Sequence, residues 1–259
     1  QIIAYLEKSS VAKVTKIHQK LINSKRIRIV VVGSLPYDRV IKDLEIAFGK
    51  MTAKDYLLSS AKAPVFNPKK AVAFENREIP TAYIRVKFNG LPIGHKDEVA
   101  MKLMMRIFDE ELSDEIRTKR SLSYAIYSYM IQQSQGIGVI GASTSNPRET
   151  LEAMALVIKR MKTQKIPAKD LEEHKTIYAT NYFLTQEKHS SLAGAISSNY
   201  FYRGDLSALY QLPLRLKTVT SADVQRVAQT LLLNLRVGVV YDGKKYDPKW
   251  ATNLIKSTR

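Results

Sequence analysis

The chain has 259 residues, 45% of them hydrophobic, which is enough for one large core or two modest ones, and it has no cysteine, which excludes disulfide and thiolate chemistry. No apolar run approaches the roughly 18 residues of a membrane-spanning helix, so no membrane span is expected. The formal net charge of +17 sits mainly at the two ends: residues 1–70 carry 14 basic and 5 acidic groups, residues 71–200 carry 17 and 15, and residues 201–259 carry 10 and 4. No single element gathers Lys and Arg among stacking aromatics, so no nucleic-acid partner is expected, and the basic ends read as a solvated surface.

In chain order, Gln1 to Leu6 reads as the middle of an amphipathic helix, so a preceding segment is expected upstream. Val11, Val14, Ile17, Leu21 and Ile22 recur at helical spacing and lead into a β-branched run, residues 26–33, that predicts a strand stopped by Gly33 and Pro36. Val40, Ile41, Leu44 and Phe48 predict a further helix ending at Gly49. Residues 51–70, with two prolines and little periodicity, read as a linker.

Beyond the linker, residues 71–75 and 82–88 predict strands. The second alternates Ala82, Ile84, Val86 and Phe88 against Tyr83, Arg85 and Lys87, as in an antiparallel sheet with one covered face. A long helix follows over residues 95–119, then a hairpin of residues 122–131 and 136–142, then helices over 147–163, 167–187, 189–203 and 206–232, the last broken near Thr218. A strand over 235–241 and a short helix after Pro248 close the chain.

One pattern occurs twice. Val14, Ile17 and Leu21 leading into residues 28–32 resemble Val224, Val227 and Leu231 leading into residues 236–240. The second copy ends a complete α+β unit, so residues 1–50 read as the end of a truncated first repeat and residues 71–259 as a complete second one. The fold class is α+β, with an antiparallel-rich mixed sheet covered on one face by several helices.

Leu112, Arg117, Leu122 and Tyr124 stand where the long helix gives way to the hairpin. Taken alone, this is a helix end with cations in its last turn, where the helix dipole favours them. The spacing resembles the Leu-x4-Arg-x4-Leu-x-Tyr pattern in the C-terminal domain of insulinase/pitrilysin-type zinc metallopeptidases. The element order from the first helix to the last strand resembles that family too, including the helix start at Pro167-Ala-Lys-Asp-Leu-Glu-Glu173. A departure is residues 107–111, which continue a helix where the family often carries a glycine-rich turn.

The resemblance implies a clamshell of related domains around a chamber, with zinc on one half and Arg117 and Tyr124 reaching in from the other. A phenol or guanidinium near the carbonyl under attack would stabilise the charge developing on its oxygen. Zinc is then expected outside this segment, on an inverted H-x-x-E-H helix in an upstream domain or a zinc-bearing partner subunit, in a homo- or heterodimer. The substrate would be a peptide or unfolded protein, and the segment alone would be inactive. The alternative is a non-catalytic scaffold or partner subunit. Cytoplasm and periplasm both remain open.

Other constellations read as structural. Asp170, Glu173 and His174 mimic the inverted zinc motif but lie far along the chain from where the zinc helix belongs. Gly136, Gly138 and Gly141 match a G-x-G-x-x-G spacing without a helix opening on it. Glu75, Arg77 and Glu78 suit the guarding of an edge strand. Tyr200, Phe201, Tyr202 and Tyr210 are expected in the core.

Overall fold

A computed structural model describes residues 2–56, 67, 71–132, 135–243 and 249–257. The chain divides into two compact units, one of residues 1–60 with 186–198 and one of residues 61–185 with 199–259.

The first unit holds α1 (Ile2–Glu7), α2 (Val11–Leu21) and α3 (Tyr37–Phe48). Ser10 caps α2 by accepting from the Lys13 N–H at 3.2 Å. After α2, the buried Asn23 side chain bridges to residue 54, accepting from the Lys54 N–H at 3.0 Å and donating to its carbonyl. Residues 27–32, read as a strand from sequence, have no ladder partner among the described residues. A β-branched run becomes a strand only when another segment supplies its hydrogen bonds. Val11, Val14, Ile17 and Leu21 on α2 are exposed. Most of the expected linker, residues 57–66 and 68–70, lies outside the described residues, as does Pro248.

The second unit contains β1 (Val72–Asn76), β2 (Ala82–Gly90), α4 (Glu98–Leu112), β3 (Ala125–Gln132), β4 (Gly136–Thr144), α5 (Pro147–Thr163) and α6 (Ala168–Gln186, whose last residue falls in the first unit). After α7 (His189–Arg203), which spans the boundary between the units, come α8 (Ser207–Lys217), α9 (Ser221–Leu231), β5 (Arg236–Tyr241) and α10 (Lys249–Ser257). The strands form one five-stranded sheet in the order β1-β5-β2-β4-β3. Three of its pairings are antiparallel and the β1–β5 pairing is parallel. The sheet is therefore mixed and antiparallel-rich, as the alternation along residues 82–88 implied.

That alternation decides which face is covered. Ala82, Ile84, Val86 and Phe88 are buried against Leu103, Met104, Ile107 and Phe108 of α4, Leu151, Met154 and Val157 of α5, and Val224 and Val227 of α9. Removing this apolar surface from water is the main favourable contribution to the unit's stability. Tyr83, Arg85 and Lys87 point the opposite way and are exposed. The three glycines of β4 serve packing across strands. A Cβ on Gly138 would stand 2.1 Å from the Phe88 ring, one on Gly141 2.2 Å from the Tyr127 ring, and one on Gly136 2.4 Å from the Leu91 carbonyl.

Candidate functional site

The helix expected over residues 95–119 changes character at its end. Regular α-helix stops at Leu112, and residues Ser113–Lys119 form a wider π-helical turn. Such turns are rare and costly, and often accompany function. Its sequence suits it: Asp114 pairs with Lys119 at 2.6 Å and Glu115 with Arg120 at 2.7 Å, both five residues apart. In an α-helix neighbours lie three or four apart, so two oppositely charged pairs at spacing five favour the wider turn.

The turn is anchored from behind. Ile116 is buried in the core, and the nearly buried Glu115 also accepts from Arg160 of α5 at 2.7 Å, while Arg160 reaches Glu111 at 2.7 Å. The Arg160 hydrogen bond, supported by Arg120 against the opposing effect of burial, holds the Glu115 carboxyl below the ordinary range. Beyond the turn, Ser121 adopts a left-handed φ of 52°, and the Leu122 N–H returns to the Ile116 carbonyl at 2.9 Å. Ser123 donates to the Ser143 carbonyl at 2.7 Å and Thr144 donates to the Leu122 carbonyl at 2.8 Å, fastening this segment to the end of β4.

Arg117 and Tyr124 project from the two sides of this fastened reversal. The Arg117 guanidinium lies over the Tyr124 ring, 4.2 Å from its centroid, and Tyr124 is 81% exposed. The two residues singled out from sequence are thus brought into contact at the surface. Among the described residues no carboxylate pairs with the exposed Arg117, so its N–H groups are left to donate while the ring supports one face of the cation. This arrangement suits donation to a carbonyl or developing oxyanion.

Helical periodicity does not signal the π-helical turn or its Glu115–Arg160 anchor. The spacing-five pairs were the signal that could have found the turn. The departure at residues 107–111 is real: these residues are α-helical, and Asp109 accepts from the Ser128 N–H of edge strand β3 at 2.6 Å.

The four histidines do not converge. His18 lies in the last turn of α2, His189 opens α7, and His95 accepts from the Asp97 N–H at 3.1 Å in the turn before α4. His174 stands 3.8 Å from Glu110, a carboxylate that also pairs with Arg106 at 3.0 Å. Among the described residues no three His, Asp or Glu side chains gather as a metal site requires, so they do not fit a resident zinc. The expectation for the aromatic cluster is overturned: Tyr200, Phe201 and Tyr210 are exposed. On α8 the buried stripe is Leu209, Leu212 and Leu216, which turns the adjacent Tyr210 away from the core.

The sequence profile described as the peptidase M16 inactive domain matches residues 8–178. No curated protein matches the chain by sequence. Among solved structures, a peptidase M16 inactive domain from Pseudomonas fluorescens superposes with a TM-score of 0.77 at 19% identity, over 90% of this chain and 57% of that one. A protease from Helicobacter pylori gives 0.75 at 18% identity, over 90% of this chain and 60% of that one. A chain of the Candida albicans complex III2 with Inz-5 bound gives 0.67 at 12% identity, over 86% and 57%. The chain spans about three fifths of the length of the first two structures, and likeness at these identities concerns the fold.

Proposed function

Since this chain belongs to the family of peptidase M16 inactive domains, we propose that it is the metal-free part of a peptidase assembly and presents Arg117 and Tyr124 to a bound peptide. The observation that carries this reading is the stacked pair, 4.2 Å apart and exposed on an anchored reversal. Arg117 donates its planar fork to a peptide carbonyl, and the Tyr124 hydroxyl donates to the oxygen on which charge develops. Stacking limits the side-chain freedom that Arg117 would otherwise lose on binding. The zinc expected for such an assembly belongs to an upstream domain or partner subunit, because the residues described here do not fit it.

The test is peptide hydrolysis by the complete assembly carrying Arg117→Ala or Tyr124→Phe. Each variant is expected to lower kcat/KM by about a hundredfold, with zinc content unchanged. Full turnover in both would sink the assignment. This chain by itself is expected to show no hydrolysis and no stoichiometric zinc by elemental analysis.

A scaffold role is the second reading. It is favoured by the shared fold with the Candida albicans complex III2 chain. Full activity of an assembly whose Arg117 and Tyr124 are both replaced would select it.

A further inference from the structure

We propose that the open face of the five-stranded sheet is a groove for an extended peptide, which seats an acidic side chain against Arg85 and Tyr127. Strand register builds the site. Arg85 on β2 lies between Gly141 on β4 and Gly238 on β5, with Ala73 of β1 beyond Gly238 and Tyr127 of β3 beyond Gly141. The Tyr127 ring lies across Gly141, where a Cβ would meet it at 2.2 Å, and its hydroxyl accepts from Arg85 at 3.3 Å. Gly238 opens the other side: a Cβ there would meet nothing closer than the Arg85 carbonyl at 4.0 Å. The result is a groove of about 840 Å³ lined from all five strands, including Ala73, Tyr83, Arg85, Tyr127, Ser143 and Gly238.

Charge and length select the occupant. Arg85 has a hydrogen bond to Tyr127 and no carboxylate partner among the described residues, and exposed Lys87 follows it on the same face. The one carboxylate among the lining residues, Glu75, is held by Arg77 at 2.6 Å. Arg85 keeps donors to spare, and Tyr127, accepting from Arg85, has its own proton to give, so the two can hold both oxygens of one carboxylate. Five strands about 4.8 Å apart span about 19 Å, the reach of about six extended residues. The lining reaches from edge strand β1 to edge strand β3, room for a run of residues and not only a chain terminus, which suits an acidic side chain within a peptide. On the β3 side, Ala125 lies opposite the groove residue Ser143 and directly follows Tyr124. The proposal stands apart from the role of Arg117 and Tyr124, because the preference for Asp over Asn is read out at Arg85 and Gly238, which that role does not involve.

The test is fluorescence anisotropy with this chain and a fluorescein-labelled Gly/Ser peptide of about nine residues carrying two central Asp, against the same peptide carrying Asn. The Asp peptide is expected to bind about tenfold tighter. Arg85→Gln should erase that preference, and so should Gly238→Leu, whose side chain enters open space and fills the groove without disturbing the fold, as thermal melting would verify. Lys159→Gln on α5, an equal change of charge, should leave the preference intact. Equal affinity for the two peptides would overturn the proposal, as would a preference that survives Arg85→Gln or falls equally in Lys159→Gln. Competition by a single-stranded oligonucleotide that is indifferent to Gly238→Leu would also overturn it, since general attraction to a basic protein would then explain the binding.

Discussion

Glu115 shows how a buried carboxylate outside the proposed site governs the turn that carries it. Its carboxylate receives Arg120 from its own turn and Arg160 from α5, and so fixes the strand-side orientation of the turn that carries Arg117. Arg160→Met would leave the buried Glu115 and the half-buried Glu111 without their shared cation. A loss of about 2 kcal/mol is expected in urea melts of this chain. Arg117→Lys keeps the charge but loses the planar face that rests on Tyr124. In the complete assembly it is expected to raise KM by about fivefold, corresponding to roughly 1 kcal/mol of lost cation–π and fork contact. Arg117 and Tyr124 are singled out in the sequence by a resemblance alone, since their spacing by itself marks only a helix end. Their contact is not legible there, because it depends on the wide turn and on the Ser123 and Thr144 hydrogen bonds that bring residues 117 and 124 together.

At the scale of elements, the sequence was most informative where a local signal set a boundary. The break expected near Thr218 separates α8, ending at Lys217, from α9, starting at Ser221. Thr220 accepts from the Asp223 N–H at 3.2 Å while the Thr220 N–H donates to the Asp223 carboxylate at 3.0 Å, a reciprocal cap written in two residues. Thr220→Ala is expected to cost about 1 kcal/mol in chemical denaturation, with little change in the slope of the transition. The strand expected over residues 26–33 failed for the opposite reason. Its β-branched composition is local, but a ladder is a relation between segments, and no described segment supplies the other half. The exposed aromatics of α7 and α8 teach the same lesson, since an apolar side chain is buried only when another element covers it.

For the second unit as a whole, buried charge sets the response to acid. Glu98 is 1% exposed; burial opposes its ionisation, yet Lys102, the Gly94 N–H and Arg203 together bring its pKa below the ordinary 4.5. Glu115 lies below 4.5 as well, chiefly through Arg160. A carboxyl depressed in the folded state contributes stability that is complete above its unfolded pKa and lost as pH falls through the folded value. Melting temperature is therefore expected to hold from neutral pH to about 5 and to fall steadily below about 4.5. Glu98→Gln should flatten that fall, although it lowers stability at neutral pH, and scanning calorimetry across pH would check both. The parallel pairing of β1 with β5 carries a consequence for synthesis of the chain. Val72 is made early and Val237 late, and the Val237 N–H also bonds the Ala71 carbonyl at 2.7 Å. While a ribosome is still translating the helices between them, β1 has no partner in the sheet. Its backbone donors stay open to water, chaperones or neighbouring chains until β5 emerges and fills the place between β1 and β2.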